Sequence, residues 1–160
     1  MLLLPPGGER TGSWLEGAVA NAWSPAGPLS TVSVAVDGGR RGLARAIRRY
    51  ADREHFQVIC SIGRSGAGRE DFVPDLTRSL LDRTLPGIEE RMYLGPPRRP
   101  EDLLFRGAAG IRGETMIINL PERPERTRAV LRFLAPVLGH ALDKIAGDES
   151  ECGRPLGKSG

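Results

Sequence analysis

The chain has 160 residues, of which 39% are hydrophobic, 27% are charged and 5% are aromatic, and its formal net charge is +3. These values predict one globular domain with a mainly aliphatic core. The basic residues form no long block and are not interleaved with aromatic ones, which argues against nucleic-acid binding. No apolar run approaches the roughly 20 residues of a membrane span. With only two cysteines, Cys60 and Cys152, we expect a reduced, cytoplasmic protein.

Apolar periodicity predicts strands that alternate with helices along most of the chain. The predicted strands are 2–4, 31–36, 56–60 and 115–118, and the predicted helices are 13–23, 40–53, a stretch that begins at Pro74, 88–94 and 125–146. The stretch 107–113 contains three glycines and predicts a turn. Residues 148–160 are polar and glycine-rich, so we expect a disordered tail after a domain that spans residues 1–147.

Strands alternating with helices predict parallel pairing, and therefore an α/β fold with a three-layer α/β/α sandwich around a mostly parallel sheet. In such sheets ligands bind beyond the carboxyl ends of the strands. Asp37, the stretch 63–71 and Asn119 each follow a predicted strand. We therefore expect them to converge on one binding site.

A glycine-rich loop, residues 63–69, follows the predicted strand 56–60. Glycine lets backbone N–H groups approach an anion closely. Ser65 can add a hydroxyl donor, and Arg64 or Arg69 a positive charge. A phosphate-binding loop and an ordinary β–α connection fit this composition equally well. Asp37 and Asp71 could likewise hold a magnesium ion or cap the helices that follow them.

Several motifs stand in a fixed order along about residues 2–146. They are a glycine loop followed by an acidic residue and proline (61–77, SIGRSGAGREDFVPDLT), Pro-Gly (86–91), Phe-Arg (105–106), a glycine pair (110–113) and Ile-Ile-Asn-Leu-Pro (117–121). This order resembles the MogA/MoaB family of molybdopterin-binding proteins. The family has Gly-Gly-Thr-Gly, Arg-Asp and Thr-Pro, then Pro-Gly, Ser-Arg, Gly and Asn-Leu-Pro-Gly-x-Pro. Asp37 falls where the family has a Pro-Asp pair.

The resemblance implies a three-layer fold, a homo-oligomer (trimer or hexamer) and a role in molybdenum cofactor biosynthesis. Active members transfer AMP from ATP, with Mg²⁺, to the terminal phosphate of molybdopterin. Carried over, Asp37 and Asp71 would be catalytic carboxylates that organise Mg²⁺. The residues that the resemblance implies for phosphate and pterin binding are Gly63, Arg64, Ser65, Gly66, Arg69, Arg106, Asn119, Leu120 and Pro121.

Three of the departures from the family pattern bear on whether catalysis is retained. Arg64 replaces the second loop glycine, Phe105 replaces the serine before Arg106, and Glu122 replaces the glycine after Asn-Leu-Pro. We expect Glu122 to strain a glycine-type backbone and to place a carboxylate near an anionic ligand. The alternative to an adenylyltransferase is therefore a diverged pterin- or nucleotide-binding or assembly module of the same fold.

Overall fold

The computed structural model describes residues 2–4, 9–23, 32–93 and 99–149, with side chains from residue 14 onward. The strands in these ranges are β1 (Leu2–Leu4), β2 (Ser33–Ala35), β3 (Val58–Ile62), β4 (Arg83–Thr84), β5 (Ala109–Arg112) and β6 (Thr115–Leu120). The helices are α1 (Glu9–Trp23), α2 (Gly39–Asp52), α3 (Val73–Leu80), α4 (Pro86–Tyr93) and α5 (Pro124–Ile145), and a 3₁₀ helix spans Pro100–Leu104.

The strands form one sheet in the order β2-β1-β3-β6-β5-β4. The first four run parallel to one another, β5 pairs antiparallel with β6, and the edge strand β4 pairs antiparallel with β5. In the register of β3 with β6, Ser61 lies beside Asn119 and Ile62 beside Leu120. The carboxyl ends of the two central strands therefore meet at one edge of the sheet.

Alternate residues of the central strands pack against helices on opposite faces of the sheet. Cys60 and Ile118 join a buried cluster with residues of α1 and α5. Ile59 and Ile117 join a second cluster with residues of α2 and α3. This alternation follows from the two-residue side-chain period of a strand. The predicted three-layer α/β/α sandwich with a mostly parallel sheet is confirmed.

Two local predictions are wrong. The first helix begins at Glu9 rather than at residue 13, and it runs through Gly12, a residue that a helix tolerates at a cost of about 1 kcal/mol. The stretch 107–113, predicted as a turn, contains β5 and turns only at Gly113, with φ 55°. Gly110 is needed for strand packing instead, because a Cβ there would overlap the backbone carbonyl oxygen of Arg83.

Part of the sequence prediction lies outside the described residues. This applies to the predicted tail from residue 150 onward, to residue 31 of the predicted strand 31–36 and to residue 94 of the predicted helix 88–94. Within the ranges that the structure describes, no helix is long and apolar enough to cross a membrane.

Candidate functional site

A pocket of about 290 Å³ lies beside the residues that follow β3 and β6. Its walls come from the glycine loop (residues 63–71), the 3₁₀ helix, and the β6–α5 connection with the first turn of α5. The lining residues are Ser65, Gly66, Asp71, Glu101, Asp102, Leu104, Phe105, Pro121, Glu122, Arg123 and Arg126. The structure thus brings Ser65, Gly66, Asp71 and Pro121, all predicted site residues, into one pocket.

The shape of the glycine loop depends on glycines and on Asp71. Gly63 has φ 99° and Arg64 has φ 47°, the left-handed region that glycine adopts without steric cost. Asp71 Oδ2 accepts a hydrogen bond of 2.7 Å from the Gly68 N–H. A Cβ at Gly66 would lie 2.8 Å from the same oxygen. Glycine at position 66 therefore lets the Asp71 carboxylate fold against the loop.

Arg106 fixes this loop from outside the pocket. Its Nε donates to the Gly66 carbonyl oxygen at 2.8 Å, and its Nη2 donates to the Asp71 carbonyl oxygen at 2.6 Å. The Nη2 group also contacts the Asp75 carboxylate at 3.0 Å, and the Arg106 backbone N–H donates to Ser65 O at 2.8 Å. Arg106 therefore braces the loop, and a direct contact from it to a ligand stays a prediction.

Asn119 is buried where β6 ends, and its side chain connects several elements. Its Nδ2 donates to Ser61 Oγ at 2.6 Å and to Thr77 Oγ1 at 2.9 Å. Its Oδ1 accepts from the Ala108 N–H at 3.2 Å. Leu120, the next residue, is fully buried in the core. Both residues support the pocket from the sheet, and their contact with a pterin stays a prediction.

Two of the departures from the family motif contact each other. The backbone N–H of Arg64 donates to Glu122 Oε1 at 2.7 Å. The Arg64 guanidinium lies 5.9 Å from the centroid of the Phe72 ring and 3.6 Å from the Glu70 carboxylate. Among the described non-glycine residues, only His55 and Arg64 have positive φ. The predicted backbone strain at Glu122 is therefore wrong, and the strained residue is Arg64.

Another wall of the pocket contains a buried carboxylate with two arginines. The Asp102 side chain is 5% exposed, and its Oδ1 lies 2.7 Å from Arg123 Nη2 and 3.5 Å from Arg126 Nη1. Arg126 also donates to the carbonyl oxygens of Asp102 and Met92, and its guanidinium lies over the Phe105 ring. The sequence analysis missed this cluster. The three-residue spacing of the arginines was a weak signal that they share a helix face, but nothing marked Asp102 as their partner.

The charges on the pocket wall are unbalanced. Four carboxylates and two guanidinium groups line it, so its formal charge is −2. This surplus repels a bare polyphosphate more strongly than its complex with a divalent cation, which carries two fewer negative charges. Among the described residues, no group of three or more acidic, histidine or cysteine side chains could hold a metal ion by itself. Asp71 is still compatible with Mg²⁺, which is commonly held by one or two carboxylates together with substrate phosphates.

Seven predicted site residues do not line the pocket: Gly63, Arg64, Arg106, Asn119, Leu120, Asp37 and Arg69. Asp37 is exposed after β2, the edge strand that β1 separates from β3. It shares the carboxyl edge of the sheet with the pocket but does not line it. Arg69 is exposed within the glycine loop and does not line the pocket either.

The fold matches a solved structure over most of its length. The molybdopterin biosynthesis enzyme MoaB from Thermus thermophilus is 32% identical in sequence, with a TM-score of 0.75. The match covers 92% of this chain and 94% of that one. The chain belongs to the MogA/MoaB family.

Curated proteins similar to this MogA/MoaB chain are longer than the stretch that aligns with it. The molybdenum cofactor synthesis protein cinnamon of Drosophila melanogaster is 30% identical over 109 residues, which are 68% of this chain and 18% of that protein. The molybdopterin adenylyltransferase of Helicobacter pylori J99 is 28% identical over 107 residues, 66% of this chain and 61% of that protein. The chain therefore spans less than two thirds of either relative. No protein-family model matches it.

Proposed function

We propose that the protein acts in molybdenum cofactor biosynthesis and transfers AMP from ATP, with Mg²⁺, to the terminal phosphate of molybdopterin. The observation that carries the proposal is the pocket in which the glycine loop, with Ser65, Gly66 and Asp71, meets Pro121 of the Asn-Leu-Pro motif. Similarity to the molybdopterin adenylyltransferase of Helicobacter pylori and to the molybdopterin biosynthesis enzyme of Thermus thermophilus supports it.

In the proposed reaction an oxygen of the terminal phosphate of molybdopterin bonds to the α-phosphorus of ATP. The bond from that phosphorus to the bridging oxygen of the β-phosphate breaks, and pyrophosphate leaves with the electron pair. Transfer of this kind needs mainly positioning and neutralisation of charge. Ser65 and the backbone N–H groups of the loop are suited to binding phosphate oxygens, and Gly63 and Arg106 keep the loop in shape.

The proposed catalytic roles of Asp71 and Asp37 are supported by different observations. Asp71 lines the pocket, and it is the residue that we expect to hold Mg²⁺, which would neutralise phosphate charge when bound. The negative surplus of the pocket wall favours a metal complex of ATP over ATP alone. Asp37 is proposed from its motif position and from its place at the same edge of the sheet.

We also propose a homo-oligomer, a trimer or hexamer, in the cytoplasm. Two leucines support association, because Leu103 is 74% exposed and Leu104, on the pocket rim, is 53% exposed. Size-exclusion chromatography with light scattering would contradict the oligomer if it found a single chain of 17.3 kDa. Fractionation of cells that contain the protein checks the location.

The activity can be tested by pyrophosphate release from ATP in the presence of molybdopterin and Mg²⁺. Asp71→Ala should abolish release, whereas Asp143→Ala, which changes an exposed aspartate of α5 outside the pocket, should not. Because Asp71 also holds the loop, circular dichroism should establish that both variants are folded. No release by the unaltered protein would refute the activity, and calorimetric binding of molybdopterin without release would support the diverged binding module instead.

A further inference from the structure

Two arginines at the start of α5 line the pocket, and the proposed transfer assigns them no role. Arg123 immediately precedes α5, and Arg126 lies in its first turn. Both contact the carboxylate of Asp102. Because one carboxylate faces two guanidinium groups, this cluster has a net formal charge of +1 within a pocket wall that is negative as a whole.

Arg123 has a hydrogen-bond donor that none of the described residues uses. Its Nη2 lies 2.7 Å from Asp102 Oδ1 and 2.8 Å from Oδ2. Its Nε is buried and has no hydrogen-bond partner among the residues that the structure describes. Buried donors in native proteins nearly always have an acceptor from the protein, water or a ligand. An oxyanion in the pocket would supply one.

The neighbouring positive charge is held in place. Arg126 donates to the Asp102 carbonyl oxygen at 3.0 Å and to the Met92 carbonyl oxygen at 3.2 Å. Its guanidinium lies 5.8 Å from the centroid of the Phe105 ring, which occupies the position where the family motif has serine. Binding groups that are already fixed lose less conformational entropy when a ligand arrives.

The arginine cluster is distinct from the phosphate-binding donors of the glycine loop. Glu122 precedes Arg123 in the chain, yet its carboxylate points to the loop and accepts from the Arg64 N–H at 2.7 Å. Consecutive residues thus contact different walls of the pocket: Glu122 the glycine loop, and Arg123 the 3₁₀ helix.

We propose that Arg123, oriented by Asp102 and flanked by Arg126, is a second oxyanion-binding subsite of this pocket. It would bind a phosphate group of a ligand whose other phosphate lies at the glycine loop, so a linear polyphosphate fits better than a monophosphate. The inference rests on one part of the proposed function, namely that this pocket binds phosphate groups. Arg123 is the binding residue, and Asp102 is a positioning residue.

The test is isothermal titration calorimetry of the full chain with tripolyphosphate and with inorganic phosphate, both in Mg²⁺. Arg123→Gln should weaken tripolyphosphate binding about tenfold, the usual effect of losing a hydrogen bond to a charged group, and leave inorganic phosphate nearly unchanged. Arg128→Gln is the matched control, because it removes the same charge five residues further along, at a side chain of α5 that lies over Trp14 instead of in the pocket. It should change neither affinity.

Two further variants separate positioning from charge. Asp102→Asn removes a negative charge from the pocket, so an effect of charge alone would be tighter binding of tripolyphosphate. Because we propose that Asp102 orients Arg123, we expect weaker binding of tripolyphosphate instead, with the affinity for inorganic phosphate unchanged. Arg123→Lys keeps the charge but lacks the Nε donor, and it should also weaken tripolyphosphate. Should Arg123→Gln fail to fold, as judged by circular dichroism, Arg123→Lys decides the question.

Three results would overturn the inference: equal weakening of both ligands by the Arg123 variants, equal effects of Arg123→Gln and Arg128→Gln, or no binding of either ligand to the unaltered protein. Titration with ATP and with molybdopterin then assigns the subsite to the ligand that Arg123→Gln weakens. These measurements record binding, so they stand whether or not pyrophosphate release is observed.

Discussion

Replacing Arg64 with glycine should leave the protein more stable than replacing it with alanine, although both changes delete the same side chain. Arg64 has φ 47°, and the left-handed region costs an L-residue about 1–2 kcal/mol that glycine does not incur. The greater entropy of glycine in the unfolded chain offsets about 0.5–1 kcal/mol of this gain. The contacts with Phe72 and Glu70 are lost in both variants and cancel in the comparison. We expect glycine to be favoured by about 0.5–1 kcal/mol.

Urea unfolding at pH 7, followed by circular dichroism, measures this difference. Arg69 provides the control, because it lies in the same loop, is exposed, and is not among the described residues with positive φ. There the order should reverse, with alanine more stable than glycine by about 0.5–1 kcal/mol. If alanine were as stable as glycine at position 64, the strain assigned to this residue would be refuted.

Three other predictions concern buried or paired groups. Asp52 accepts hydrogen bonds from Arg112 at 2.8 and 2.7 Å, and this pairing lowers the pKa of its carboxyl below the ordinary 3.8. The pair therefore stabilises the fold above that ordinary pKa, and this stabilisation is lost as the pH falls through the lowered pKa. Asp52→Asn should cost up to about 1 kcal/mol at pH 7 and almost nothing in strong acid, and a loss in urea titrations that did not depend on pH would contradict this. Burial raises the pKa of the Cys60 thiol to about 12. In a Cys152→Ser variant, a disulfide reagent should therefore label Cys60 only when urea unfolds the chain, and rapid labelling of the native protein would contradict this expectation. Asn119→Ala should lower the free energy of unfolding by about 2–4 kcal/mol, because it removes three buried hydrogen bonds; a loss under about 1 kcal/mol in urea unfolding would show that they matter little.

The sheet could be predicted from the sequence because its signals are local. Strands such as 115–118 show as short β-branched apolar runs, and the structure extends this one to Leu120 as β6. The glycine loop could be predicted for the same reason, because a strand that runs into several glycines indicates a turn at the carboxyl edge. The strand β5 was missed because Gly110 indicates a turn by composition, whereas here it permits close packing against Arg83 of β4.

The remaining parts of the site depend on contacts between distant residues. Asp102 and Arg123 are 21 positions apart, and no periodicity connects a 3₁₀ helix to the start of α5. The hydrogen bond from Arg64 to Glu122 spans 58 positions, so the sequence does not show that these two departures from the family motif contact each other. Asp37 is predicted to share one site with the glycine loop because it follows a strand, but strand order cannot be predicted from such local signals, and the sheet places β1 between its strand and β3.

Ligand binding in the pocket is also coupled to the stability of the fold. Its walls come from residues 65–71, 101–105 and 121–126, which stay together only in the folded chain. A compound that fills it binds the native state alone, and at a hundred times its dissociation constant it adds about 2.7 kcal/mol of stability. For a domain of this size that raises the unfolding midpoint by roughly 5–10 °C. A thermal-shift screen of phosphorylated metabolites would therefore rank candidate substrates before any turnover assay exists.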